Sequence, residues 1–153
     1  FLEDANYEDM ESIFIDIDND NDQDLYVVSG GNEFNQRSES LKDRIYINDG
    51  NGNFSRSAQP EIPDYTISGK TVSKIDFDKD GDIDIVGSTW GIGYIFWLEN
   101  DGSQNFTHNM IKSGAPSGHP ATSAFAIDMD KDGDVDITIL CKLSQIVYDI
   151  CRF

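Results

Sequence analysis

Short apolar runs, rich in β-branched and aromatic residues, alternate with polar turns along the chain. Ile13-Phe14-Ile15, Leu25 to Val28 and Arg44 to Ile47 form one series. Val72 to Ile75, Ile83 to Val86 and Tyr94 to Leu98 form a second. Phe125 to Ile127, Val135 to Leu140 and Ile146 to Ile150 form a third. Such runs, bounded by Gly, Asn, Asp and Ser, predict β-strands. Further short strands are expected from Phe54 and Phe106, after Asn-Asp-Gly turns at 48–50 and 100–102. No stretch carries a 3.6-residue helical period. The expected class is all-β.

The strands recur in register with a polar motif. Residues 16–24 read DIDNDNDQD, 76–84 read DFDKDGDID, and 128–136 read DMDKDGDVD. Asp stands at positions 1, 3, 5, 7 and 9 of each. The Asn marker is 28 residues before the next loop in both cases, Asn48 to Asp76 and Asn100 to Asp128. The distance from a loop's last Asp to its Asn marker is 24 residues in the first unit and 16 in the second. The difference locates an eight-residue insertion, placed in Gly30 to Lys42. Four strands per unit of about 50 residues is a propeller-blade pattern. The repeats run over about 1–60, 61–113 and 114–153, the last without its fourth strand. The expectation is about three antiparallel blades of a larger or assembled β-propeller, with open strand edges at its ends.

Composition sharpens this picture. The 153 residues carry 29 acids against 11 bases, a net charge of -18. Of the acids 22 are Asp and 7 are Glu, and 15 of the Asp lie in the three loops. Glu would dominate if the acids served helices or bulk solubility; Asp is a turn former and a compact oxygen ligand. The charge argues against nucleic acid and anionic membrane as direct partners. No apolar run reaches the roughly 18 residues of a spanning helix, so no membrane insertion is expected.

Five carboxylates in nine residues repel one another unless a cation offsets them. A hard divalent ion suits an all-oxygen donor set, and Ca2+ tolerates crowded geometry better than Mg2+. The expected ligands are Asp16, Asp18, Asp20, Asp22 and Asp24; Asp76, Asp78, Asp80, Asp82 and Asp84; and Asp128, Asp130, Asp132, Asp134 and Asp136. Position 7 would serve through its carbonyl, leaving the Asp22, Asp82 and Asp134 side chains toward water. Gly81 and Gly133 permit the reversal at position 6. Asn21, tolerant of left-handed backbone, replaces them in the first loop. The helical Ca2+ loop needs Glu at position 12; Val27, Gly87 and Ile139 stand there. Three Ca2+ ions would take the charge to -12 (three times +2 on -18).

These loops, at this spacing between strands, resemble the FG-GAP/VCBS repeats of the integrin α-subunit propeller and of many bacterial secreted and surface propellers. Residues 76–84 and 128–136 match fully, and the stretch Trp97 to Gly102 is similar to the bacterial versions. Gly114-Ala115-Pro116 precedes a loop, where the integrin signature would follow one. The resemblance implies a Ca2+-stabilised propeller used for adhesion, recognition or scaffolding on a secreted or cell-surface protein.

Other motifs carry less. His108 and His119 have no nucleophile pattern nearby and are expected as exposed polar residues. Gly91-Ile92-Gly93 lacks the third glycine and the βαβ context of a dinucleotide site. Trp90, Trp97 and the tyrosines read as blade core. Asn53-Phe54-Ser55 and Asn105-Phe106-Thr107 are glycosylation acceptor patterns at equivalent turns, and turn structure is the preferred account of both. Cys141 and Cys151 are expected on neighbouring strands, more as free thiols than as a bridge. No enzyme is expected. The leading class is a binding module for a protein or glycan, with the 30–42 insertion as first candidate contact. Self-association through open blade edges and an appendage of a larger enzyme are the alternatives.

Overall fold

The computed structural model describes residues 4–31, 38–57, 69–89, 93–112, 121–141 and 148–152. Residues 32–37 of the insertion, Trp90, Gly91, Ile92, Gly114-Ala115-Pro116 and His119 lie outside them. The described chain is nearly all β. The first sheet runs β1 (Asp9–Ile15), β2 (Asp24–Ser29), β3 (Arg44–Asn48), β4 (Phe54–Arg56), in that order. The second runs β5 (Gly69–Ile75), β6 (Asp84–Thr89), β7 (Ile95–Asn100), β8 (Phe106–Lys112). The third holds β9 (Ala121–Ile127), β10 (Asp136–Cys141) and β11 (Tyr148–Arg152). Neighbours in each sheet are antiparallel meanders, as propeller blades are.

Alternation along each strand sends one set of side chains to each neighbouring sheet. Ile15, Ile17, Tyr26, Val28 and Ile45 meet Val72, Ile85 and Leu98 in a core between the first two sheets. Val86 and Ile95 meet Ala124, Ile137 and Ile139 between the second and third, with Phe77 against Trp97 at 4.6 Å between ring centroids. The middle sheet is thus apolar on both faces. Gly87 pairs with Phe96 across β6 and β7, and a Cβ there would meet the Phe96 ring at 2.4 Å. The missing side chain lets that ring lie flat on the strand and join the first core. The leading strands stack along the array. The Val72 N–H donates to Glu11 Oε2 (2.7 Å), Lys74 Nζ to the Phe14 carbonyl (2.6 Å), and the Ala124 N–H to Thr71 Oγ1 (3.1 Å).

Within the first sheet, the end of the insertion is a 3-10 turn, Glu39–Leu41, capped by Ser38 and pinned by buried Leu41. It delivers Asp43 to the back of β2, where the carboxylate accepts from Tyr26 Oη (2.6 Å) and the Ser29 N–H (2.9 Å). The β10–β11 register pairs Ile137 with Cys151, four residues from Cys141. That offset is about 13 Å at the strand rise, beyond the roughly 7 Å that a disulfide spans. The two cysteines stand on neighbouring strands, four residues out of register.

Burial lifts the Asp43 carboxyl from 3.8 to about 6, against the Tyr26 and Ser29 hydrogen bonds and the Arg44 charge. A carboxyl with a folded pKa above its unfolded value holds its proton more tightly when folded. Its contribution therefore stabilises the protein as pH falls from about 6 to about 4, on the order of 3 kcal/mol at most. Urea unfolding in chelator, compared with Asp43→Asn across pH 4–7, should show that increment in the wild type and lose it in the variant. Parallel pH curves for the two proteins would refute the assignment.

Candidate metal centre

Each Asp loop closes the hairpin between the first two strands of its sheet. Ile15 pairs with Asp24, Ile75 with Asp84 and Ile127 with Asp136, so the three loops have the same length. Two left-handed residues make each reversal. At position 6 they are Asn21 (φ 71°), Gly81 (φ 103°) and Gly133 (φ 94°). Asn21 takes over the glycine's role, since Asn is among the side chains best tolerated there. Position 4 is left-handed too, at Asn19, Lys79 and Lys131, with φ between 60° and 65°.

Position 9 is the root of the loop. Asp24, Asp84 and Asp136 are buried. Their Oδ2 atoms accept from the N–H of position 2: Ile17 (2.9 Å), Phe77 (2.9 Å) and Met129 (3.0 Å). The Oδ1 atoms of Asp24 and Asp84 accept from the Asn48 and Asn100 N–H groups, each at 2.8 Å. One carboxylate thereby fixes the loop entry and ties it to the third strand. Position 5 folds inward on the backbone instead. Asp20, Asp80 and Asp132 accept from the N–H of position 7 at 2.9–3.0 Å, shaping an Asx turn.

Positions 1, 3 and 9 converge. Asp16, Asp18 and Asp24 each place an oxygen within 4.8 Å of the others; so do Asp76, Asp78 and Asp84, and Asp128, Asp130 and Asp136. Two ligands about 2.4 Å from a Ca2+ ion can lie at most about 4.8 Å apart, so each triad has the span of a divalent-cation site. The Oδ1 atoms of Asp16, Asp76 and Asp128, all at position 1, are buried with no hydrogen-bond partner, as is Asp18 Oδ1. A buried anionic oxygen without a donor is costly, and its recurrence at one position of three loops fits a cation there. The electrostatics agree. Burial, then Asp20, Asp24, Asp18 and Asp16, pushes the Asp22 carboxyl up. Burial likewise raises Asp24, Asp84 and Asp78 against their backbone donors. Three sites can hold metal ions, and the donor set is oxygen alone.

The position 7 side chains do not simply face water. Asp22 is half-buried, and its Oδ1 is enclosed without a partner. Asp82 accepts from Asn19 Nδ2 (2.6 Å), and Asp134 from Lys79 Nζ (2.8 Å). Position 4 of one loop thus reaches position 7 of the next. The Lys79 contact holds the Asp134 carboxyl below its usual range. These links were not legible in the sequence, because residues 55 to 63 apart meet only once the sheets stack.

The Asn-Asp-Gly turns supply a second layer. Asp49 and Asp101 accept from Asn53 and Asn105, each through the backbone N–H (3.2 Å) and Nδ2 (2.8 Å). Both Asn side chains brace their turns. Asn100 is fully buried; its Nδ2 donates to the Ile83 carbonyl (3.2 Å) in its own loop and to the Ile17 carbonyl (3.0 Å) in the first loop. Asn48 makes the first of these bonds, to the Gln23 carbonyl (3.2 Å). His108 departs from expectation. It is half-buried on β8 with its ring 5.6 Å from Phe96, because strand alternation turns it inward, and burial lowers its pKa.

Replacing Asn100 by Leu keeps the branched shape of the side chain and removes the donor to two carbonyls, one buried and one partly buried. The expected cost is about 2–4 kcal/mol, and more than that of Asn48→Leu, whose site is partly exposed. Urea unfolding of the two variants compares them directly; equal losses would contradict the inter-sheet role of Asn100.

Among the described residues no helix is long and apolar enough to cross a membrane. No curated protein matches the chain. The family described as FG-GAP-like repeat matches residues 16–87 and again 76–139, each match beginning at the first Asp of a loop and running into the next sheet's strands or through the last described loop. Most of the chain is covered by these two overlapping matches, and with the three antiparallel sheets and their equivalent loops they establish that the chain belongs to the FG-GAP-like repeat family.

Proposed function

We propose that the chain is a calcium-binding propeller module of a secreted or cell-surface protein, non-catalytic itself, that presents a binding surface for a protein or glycan. The observation that carries the metal part is the threefold recurrence of a partnerless, buried Oδ1 at Asp16, Asp76 and Asp128, each in a triad of convergent carboxylates. Calcium follows from the oxygen-only donors and from the irregular loop, which suits a flexible coordination shell. Sites of this kind outside cells bind at about 0.1–1 mM, the affinity expected of these loops. The ion's role is structural: it neutralises repulsion inside a loop whose root already joins three strands.

A second reading, assembly through the sheet faces, rests on the third sheet. Ile15 and Ile17 are fully buried under the second sheet, and Ile75 and Phe77 pack under the third. Their equivalents Ile127 and Met129, with Phe125, are 53 %, 50 % and 49 % exposed. An apolar face of this shape suits a further repeat of the same kind.

Titration calorimetry should count three Ca2+ ions, and saturation at ten to a hundred times Kd should add about 1.4–2.7 kcal/mol per site. Asp76→Asn should bind two and lose about a third of that gain. An unchanged melting curve between chelator and calcium would end the structural-metal reading. For assembly, sedimentation should show concentration-dependent association that Ile127→Lys abolishes; a monomer at high concentration in calcium counts against it.

A further inference from the structure

The first loop's metal site is not built from the first repeat alone. Gln104, in the turn that follows β7 of the second sheet, donates from Nε2 to Asp18 Oδ2 at 2.9 Å, across 86 residues of sequence. Asp18 belongs to the carboxylate triad with Asp16 and Asp24, and its other oxygen, Oδ1, is buried with no partner. The amide therefore clamps one oxygen of Asp18 and leaves the other free among the converging carboxylates. A neutral amide is suited to this task. It satisfies a lone pair without adding a positive charge that would compete with a cation.

A second observation points the same way. Gln104 sits at φ 67°, in the left-handed region that long side chains avoid. The equivalent position of the first repeat, 52 residues earlier by the Asn48–Asn100 spacing, is Gly52, at φ 81°. The turn's backbone is thus the one glycine would adopt with ease. The second repeat keeps a strained glutamine where its side chain reaches a metal ligand of its neighbour, and backbone strain of that sort concentrates at functional positions. The same turn is pressed against the first loop on either side of Asp18. Asn100 Nδ2 holds the Ile17 carbonyl at 3.0 Å, and a Cβ on Gly102 would meet Asn19 Nδ2 at 2.4 Å.

We infer that Gln104 is a positioning residue for the metal ion of the first loop, so that this site is composite, with ligands from one repeat and its orienting donor from the next. The inference rests on the calcium reading above and deepens it. Docking of the second repeat then strengthens binding at the first loop, and ion binding there in turn strengthens the docking, because the linkage is reciprocal. The first site is the one that the loss of Gln104 weakens; the second and third do not depend on it.

The test uses Gln104→Gly on the whole chain, with Gln104→Asn as a second variant that tolerates the left-handed backbone but is too short to reach Asp18. Calcium titration calorimetry and melting in chelator are measured for each. The expected result is a loss of about tenfold or more in affinity at one of three sites, the scale of an outer-shell substitution. The other two sites stay unchanged, and the chelator melting temperature of Gln104→Gly equals or exceeds that of the wild type. A merely structural role would instead lower the melting temperature in chelator and leave all three affinities alone, which would overturn the inference. Three unchanged affinities in both variants would overturn it too, while the calcium reading stands. A wild-type protein that takes up no calcium would sink both.

Discussion

A carboxylate buried at the root of each hairpin is the constraint on which the rest depends. Asp24, Asp84 and Asp136 each take a backbone N–H from the start of their own loop. In the first two sheets they take another from the third strand. Such a group is costly to desolvate as a charge, and its donors only partly offset the cost. The loop therefore gathers two more carboxylates around it, a combination that holds together best around a cation. The same groups that order the loop's backbone make the loop a ligand.

The stacking of repeats follows from that geometry. With the loop fixed, the strands on either side present their apolar faces at a set angle, and Ile15, Ile17, Ile75 and Phe77 fall under the next sheet. The polar layer then knits along the same edge. Asn19 reaches Asp82, Lys79 reaches Asp134, and Asn100 reaches back to the Ile17 carbonyl. Hydrophobic burial supplies most of the energy between sheets, while these directional contacts fix the register of one repeat on the next. The N-terminal residues have a separate part. Asp4 accepts from Tyr46 Oη and pairs with Arg56, and Tyr7 lies under the Arg44 guanidinium at 4.2 Å. This polar network occupies the outer side of the first sheet, where the second sheet carries Ile85, Phe96 and Leu98 in equivalent places.

The two ends of the array are therefore unlike. The first sheet's outer face is dressed with charged and phenolic groups, and the third sheet's exposes Phe125, Ile127 and Met129 among the described residues. A partner for the third sheet would meet Phe125, Ile127 and Met129 together with Lys131, the position 4 residue whose counterparts Asn19 and Lys79 each hold the next loop.

The sequence by itself determined the strands, their grouping into repeats and the loops that carry the acids. All three are local or periodic properties: strand alternation, turn chemistry at Asn-Asp-Gly, and Asp at every second position of a short reversal. It could not say which carboxylates would converge. Alternation treats positions 1, 3, 5, 7 and 9 alike, but in the folded loop positions 1, 3 and 9 converge, position 5 accepts from the N–H of position 7, and Asp82 and Asp134 accept from the preceding loop. Nor could it expose the parts played by Asn100 and Gln104, which read as ordinary turn residues. Their partners, Ile17 and Asp18, lie 83 and 86 residues away and become neighbours only when two apolar sheet faces close on each other. Composition and spacing set what each repeat is, and the stacking of repeats decided how their polar groups are shared.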